Sequence, residues 1–222
     1  MLYFIPTPIG NTKDITLRAL DLFKQLKYFI SEDTRTTKKL LGIYEIDFSG
    51  KQFFSLTSFT QQYKLDQYLD ILKNNDVGLV SDAGTPGFSD PGKILIKLCN
   101  QYGFEYTIFP GANALIPAIV GSAFDTSNFI FLGFLPTKKG RNKIFNQILN
   151  FDSPVFFYES VHRIKKTLSE LKSIGFKGSV CIAREISKMF EQYVNGNIDE
   201  ILEKINNKKI PIKGEFVVGL KN

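Results

Sequence analysis

The sequence predicts an α/β fold in two domains. Two observations carry that prediction. Short apolar runs recur through the first half, each followed by an amphipathic stretch at helical spacing. The texture then changes after residue 123, where helices become fewer and strand candidates crowd together. A chain of 222 residues with 43% hydrophobic side chains is long and apolar enough to bury a core in each half, which excludes a disordered class.

In the first half, strands are expected over residues 2–6, 28–30, 53–56, 77–81 and 106–109. Runs such as Val77-Gly78-Leu79-Val80 lack polar alternation, which points to strands buried on both faces of a parallel sheet. The first helix shows Ile15, Leu17, Leu20, Leu22, Phe23 and Leu26 on one face, with Asp14 expected as its N-cap. An apolar helix over 112–123 closes the first domain, set at residues 1–123. The turn-rich joint 124–128 opens the second, set at 124–222. There the strand candidates are 129–134, 155–158, 180–183, 191–194 and 215–220, with helices over 141–149, 164–174 and 198–205, giving a mixed sheet.

Charge is unevenly placed. Residues 1–122 hold 12 Lys and Arg against 12 Asp and Glu, whereas residues 123–222 hold 16 against 10, so the whole net charge of +6 lies in the second half. A polyanionic partner contacted mainly by that half is the functional reading, and solvated lysine-rich faces are the plain one. No run is long and apolar enough for a membrane span and no leader pattern opens the chain, so a cytoplasmic protein without membrane contact is expected. Cys99 and Cys181 stand apart in apolar contexts and read as buried hydrophobes. His162 is the only histidine, which argues against a histidine-built metal site, and no metal is expected.

Glycine-rich cradles of the dinucleotide and P-loop types are missing. Instead, tight Gly- and Pro-rich turns stand at the carboxyl ends of expected strands, where open α/β sheets present ligand sites. They are Thr7-Pro-Ile-Gly-Asn11, Ser81-Asp-Ala-Gly-Thr-Pro-Gly87, Ser89-Asp-Pro-Gly92 and Pro110-Gly-Ala-Asn-Ala114.

Those turns, with Asp14-Ile-Thr-Leu-Arg18, Glu32-Asp-Thr-Arg35, Gly133-Phe-Leu-Pro136, Phe157-Tyr-Glu-Ser160, His162-Arg163, Arg184-Glu185 and Gly214-Glu-Phe216, occur in an order that resembles the bacterial 16S ribosomal RNA 2′-O-ribose methyltransferase I family of the tetrapyrrole methylase superfamily. The resemblance spans almost the whole chain. It implies the two-domain class III methyltransferase fold with S-adenosylmethionine in a cleft between the domains, a homodimer, and a decoding-centre cytidine of 16S RNA, free or in the small ribosomal subunit, as substrate.

Carried over position by position, the resemblance implies that Pro8, Ile9 and Gly10 face the cofactor. Asp82, Ala83, Gly84, Thr85 and Pro86, with Gly111, Ala112, Asn113 and Ala114, line its other sides, and Tyr158 and Glu159 close over it. Two departures stand out. The family's histidine- and glutamate-bearing stretch is replaced by residues 56–60, Leu-Thr-Ser-Phe-Thr. The family also commonly continues beyond the Gly-Glu-Phe strand, whereas this chain stops at Asn222, so an RNA-contacting extension is expected to be absent.

Methyl transfer to a ribose hydroxyl gains from a base and from a stabiliser of the developing alkoxide. Glu32, Asp33 and Arg35 are the compact candidates, against the plain alternative of an Asp33 helix cap with a surface ion pair. Asp90 is a further catalytic candidate, against its favoured plain reading in Ser89-Asp-Pro91 as a helix start. Lys138, Lys139, Arg141, Lys143 and Arg163 are the candidate RNA-phosphate contacts, with His162-Arg163 alternatively pairing inside the domain. Two rival functions fit the same residues: a tetrapyrrole C-methyltransferase, which would need an apolar macrocycle pocket, and a non-catalytic RNA-binding protein retaining the cofactor fold.

Overall fold

Two five-stranded sheets organise the chain, which a computed structural model describes over residues 1–57 and 60–222. The substituted stretch 56–60 therefore lies partly outside the described residues, at positions 58 and 59. The chain divides into two units, Met1–Asn113 and Ala114–Asn222.

The first unit runs β1 (Leu2–Ile5), α1 (Leu17–Gln25), β2 (Tyr28–Ser31), α2 (Thr34–Ile43), β3 (Gln52–Ser55), α3 (Gln62–Asn74), β4 (Val77–Val80), α4 (Lys93–Tyr102) and β5 (Tyr106–Ile108). All its pairings are parallel, in the order β3-β2-β4-β1-β5. Because side chains alternate along a strand, Leu2, Phe4, Ile30, Val77 and Leu79 join one core with Leu65, Tyr68 and Leu72 of α3 and Leu95 and Cys99 of α4. Ile5, Phe29 and Val80 join a second core with Ala19 and Phe23 of α1 and Leu41 of α2. Helices thus cover both faces, and the unalternated apolar runs are the signature of that burial.

One detail differs from expectation. Asp14 does not cap α1; it ends a short 3-10 turn, Thr12–Asp14, whose cap is Asn11. The cap of α1 is Thr16, whose side chain accepts from Ala19 N–H at 3.1 Å. Extended backbone at Ile15 and Thr16 separates the two turns and delays the helix.

In the second unit, α5 (Leu115–Gly121) leads to β6 (Ile130–Phe134), α6 (Arg141–Ile148), β7 (Val155–Ser160), α7 (Ile164–Ser173), β8 (Ser179–Arg184), β9 (Gln192–Asn197), α8 (Ile198–Asn206) and β10 (Glu215–Lys221). The sheet is mixed, in the order β6-β7-β10-β8-β9, with only β6 and β7 parallel. Phe145 and Ile148 of α6, Leu168 and Leu171 of α7, and Ile201 and Ile205 of α8 pack against Phe157, Ile182 and Val218 of the sheet. The division falls after residue 113 rather than 123, because α5 packs on β8 and β10 and is tied to β9 by Asn195 Nδ2 donating to Gly121 O at 3.0 Å. Cys99 and Cys181 are both free and buried. Among the described residues no helix is long and apolar enough to cross a membrane.

Gly219 sits in the central strand β10, where a Cβ would lie 2.7 Å from the Phe156 ring and 3.3 Å from Cys181 Cβ. Gly219→Ala should therefore destabilise the protein by about 1–3 kcal/mol through overpacking. Urea unfolding should show a lower midpoint at unchanged slope; an unchanged midpoint contradicts this packing.

Candidate active site

In the first unit, β1 and β4 are neighbours whose onward connections run in opposite directions across the sheet, β1 toward β2 and β4 toward β5. A crevice opens at such a switch point outside the carboxyl ends of the strands. The turns 6–10 and 81–87 stand there. Thr7 lies between Pro6 and Pro8, which have no N–H to give, and its own N–H donates to Gly84 O at 2.9 Å while Gly84 N–H returns to Thr7 O at 3.0 Å. The Thr7 hydroxyl donates to Ser81 O at 3.1 Å, and the Ser81 hydroxyl to Gly84 O at 2.8 Å. Gly84 has φ +82°, so glycine is required at the hinge of this clasp.

The third turn is drawn against the same clasp. Thr85 Oγ1 donates to Ala112 O at 3.4 Å, and at Gly111 a Cβ would lie 2.4 Å from Pro6 Cβ, so only glycine permits that approach. The structure thus brings Pro8, Ile9, Gly10, Asp82, Ala83, Gly84, Thr85, Pro86, Gly111, Ala112 and Asn113 to one edge of the first unit. Ala114 belongs to the second unit, as the N-cap of α5.

Thr7 and Ser81, which hold the clasp, open two of the turns picked out in the sequence but were not singled out there as site residues. Beside them lies a pocket of about 110 Å³ whose walls include Pro8, Thr36, Lys39, Leu40 and Asp82.

Carboxylates ring this edge. Glu32, exposed at the end of β2, has its pKa raised by burial first and then by the charges of Asp82 and Asp90. Asp82 is also raised: burial is the largest cause, a hydrogen bond from Asp33 N–H at 3.1 Å opposes it, and the charge of Asp33 adds to it. Asp90 is a turn-builder, its Oδ1 accepting from Gly87 and Gly92 N–H at 2.7 Å each.

Asp33 requires a correction. It is the N-cap of α2, accepting from Arg35 N–H at 2.8 Å, and its carboxylate also pairs with the Arg35 guanidinium at 2.6 Å. The Arg35 hydrogen bonds lower its pKa to about 2, so it is a poor proton acceptor at neutral pH. Arg35 is held by the same pair, with its side chain 89% exposed.

Three expectations in the second unit are also corrected. Glu159 does not present its carboxylate to a ligand. The side chain is fully buried, with Oε1 accepting from Ser160 N–H at 2.8 Å and paired with Arg163 at 2.7 Å, and Oε2 accepting from the Thr167 hydroxyl at 2.6 Å. Arg163 spends its guanidinium on that pair and on Leu135 O at 3.0 Å. Arg141 is buried rather than offered to phosphate: it donates to Glu170 Oε2 at 2.8 Å, Pro136 O at 3.0 Å and Thr167 Oγ1 at 2.8 Å.

One polar chain, Arg141–Thr167–Glu159–Arg163, therefore binds α6 and α7 to β7 and to the segment after β6. Lys138, Lys139 and Lys143 are exposed, as an anion-binding role needs. Tyr158 is half-buried, its hydroxyl pushed up to about 12 by burial, and its ring meets Phe131 and the 59%-exposed Phe134. The exposed aromatic Phe134 was missed in the sequence, where it reads as one more strand residue.

Residues 1–202 match the family of tetrapyrrole (corrin/porphyrin) methylases. A protein of a Hydrogenobaculum species named ribosomal RNA small subunit methyltransferase I is 41% identical over 99% of this chain and 94% of its own length. A Bacillus subtilis protein of the same name is 36% identical over 97% of this chain and 73% of its own. Among solved structures, uroporphyrin-III C-methyl transferase from Thermus thermophilus, complexed with S-adenyl homocysteine, superposes with a TM-score of 0.65 at 14% identity, covering 100% of this chain and 97% of that one. Cobalt precorrin-4 methyltransferase gives 0.66 at 15%, covering 98% and 93%. At such identity the last two establish the fold alone.

The Arg141 network gives a direct test. Arg141→Ala removes hydrogen bonds to a buried charge but leaves Glu170 partly solvated, so a loss of about 2–3 kcal/mol is expected in urea unfolding. The salt dependence of RNA binding should not change. A fully stable variant with a shallower salt slope would return Arg141 to the phosphate-contacting set.

Proposed function

As a member of the tetrapyrrole methylase family, and within it of the ribosomal RNA small subunit methyltransferase I family, the chain is a methyltransferase, and we propose that it methylates the 2′-hydroxyl of a cytidine ribose in the decoding centre of 16S ribosomal RNA. The observation that carries the reading is the clasped set of turns at the β1/β4 switch point, beside carboxylates that repel one another.

That edge fits S-adenosylmethionine. Gly10 and Gly111 are exposed and leave backbone open to a nucleoside, while Gly84 is spent on the clasp. Glu32 and Asp82 supply negative charge whose mutual repulsion a sulfonium and an ammonium group would relieve. Pro8, Ile9, Gly10, residues 82–86 and residues 111–113 of the first unit would hold the cofactor. Bound there, S-adenosylmethionine supplies an electrophilic methyl group on a positively charged sulfur.

The chain's own residues then divide the remaining work. Glu32 accepts the proton from the ribose hydroxyl, because its raised pKa brings it nearer the operating pH than Asp33, which is held at about 2. Arg35 and Lys39 stand exposed at the same edge to hold phosphate. Lys138, Lys139 and Lys143 add phosphate contacts from the second unit, without reading sequence. The reading includes action in the cytoplasm on RNA or the assembled small subunit, by a pair of identical chains, the last checked by sedimentation.

Mass mapping of 16S RNA from a strain lacking the gene should show one ribose methyl lost, and regained on complementation; an unchanged methylation pattern contradicts the function. Glu32→Gln should lower the single-turnover rate by roughly 10²–10⁴-fold with cofactor and RNA affinities nearly unchanged. A wild-type rate would remove Glu32 as the base.

A further inference from the structure

At one end of the mixed sheet, the segment between β8 and β9 exposes two large apolar side chains in succession, Met189 at 90% and Phe190 at 68%. The backbone beneath them is fixed. Lys188 N–H donates to Glu185 O at 2.9 Å and Glu191 N–H to Lys188 O at 3.1 Å. Ser187 N–H donates to Glu191 Oε2 at 2.5 Å, and the buried Arg184 gives Nη1 to Phe190 O at 3.1 Å.

Glu185 and Ser187 hold φ values of +50° and +65°, which non-glycine residues rarely adopt. Lys188 Nζ secures the turn by bridging Glu185 at 3.2 Å and Glu215 at 2.8 Å. Gly214 beside it has φ +83°, a left-handed conformation that favours glycine. A strained turn held by this many polar contacts, with its apolar side chains turned to solvent, marks a surface built for an occupant.

The neighbouring loop supplies the charge. Gln192 Nε2 donates to Lys209 O at 3.0 Å, and Arg184 Nη2 to Lys213 O at 3.0 Å, so the 208–213 segment is fastened to the same sheet end. Lys208, Lys209 and Lys213 are exposed there and make no ion pair among the described residues. The carboxylates nearby are engaged, Glu185 and Glu215 by Lys188 and Glu191 by the Ser187 N–H. Against Glu185, Glu191 and Glu215, the five cations Arg184, Lys188, Lys208, Lys209 and Lys213 leave the net charge at this end positive.

We propose that this apolar wedge is an RNA-contacting element of the second unit, in which Phe190 stacks on an unpaired base, Met189 packs beside it, and Lys208, Lys209 and Lys213 hold the flanking phosphates. The proposal rests on the ribosomal RNA reading above and adds a contact surface to it. Aromatic stacking on splayed bases combined with backbone-tracking cations is the general mode of single-strand recognition. A second copy of the chain fits less well, because pairing wedge to wedge brings the same three lysines together.

The test uses the full chain and a 16S RNA fragment containing the decoding-centre loop, with fluorescence anisotropy for RNA, calorimetry for S-adenosylhomocysteine, and sedimentation for oligomeric state. Phe190→Ala should weaken RNA binding by about 5- to 100-fold at unchanged S-adenosylhomocysteine affinity, and Phe190→Trp should retain it. Lys208→Ala, Lys209→Ala and Lys213→Ala together should lower the salt slope by roughly 2–3. Wild-type RNA affinity in Phe190→Ala overturns the proposal, as does a change of oligomeric state without a change in RNA affinity. If the wild-type chain itself fails to bind RNA while binding S-adenosylhomocysteine, the functional reading falls and takes this inference with it.

Discussion

The two reciprocal hydrogen bonds between Thr7 and Gly84 are the constraint on which the candidate site depends. They join the turns that leave β1 and β4, adjacent parallel strands whose following helices, α1 and α4, pack on opposite faces of the sheet. Every feature at that edge follows from the clasp. Ser81 and Thr7 spend their hydroxyls bracing it, Gly84 supplies the positive φ it needs, and Gly111 lets the third turn close against Pro6. Fixing three turns in advance is what a cofactor site requires, because ordering them on binding would cost affinity.

The second unit solves a different problem. Its buried Glu159 would be costly to keep charged without partners, and the structure gives it Arg163, Thr167 and the Ser160 N–H. Thr167 donates to Glu159 and accepts from Arg141, so one hydroxyl links two buried charges. The segment after β6 joins through its carbonyls, Leu135 to Arg163 and Pro136 to Arg141. Three of the motifs that carry the family resemblance, 133–136, 157–160 and 162–163, thus meet in scaffold. Conspicuous polar residues can mark a family through its framework as readily as through its chemistry.

Much of the fold was legible because burial leaves a direct trace. Val77–Val80 and Leu2–Ile5 carry unbroken apolar runs since helices cover both faces of their sheet. The seam at residue 113 was not legible: the turn-rich segment 124–128 looks like a linker, yet α5 before it packs with the second sheet, and packing partners leave no local signal. The strand-end turns of the site were readable from their Gly and Pro. What they contact was not, nor was the fate of the charges. Arg141 and Lys143 look alike in sequence, but one faces Glu170 and Thr167 and the other solvent. Asp33 and Glu32 are adjacent carboxylates, and only the fold assigns the first to a helix cap with Arg35 and leaves the second among like charges.

The β1/β4 edge of the first unit is proposed to hold the methyl donor, with Asp82 as its charged contact. Calorimetric titration of S-adenosylhomocysteine into the wild type and Asp82→Ala, alongside their unfolding midpoints, tests it most directly. Loss of a hydrogen bond to a charged group should lower affinity by about tenfold or more, while the exposed position of Asp82 keeps the midpoint near that of the wild type. Equal affinities in the two proteins would contradict the claim and place the cofactor away from this edge.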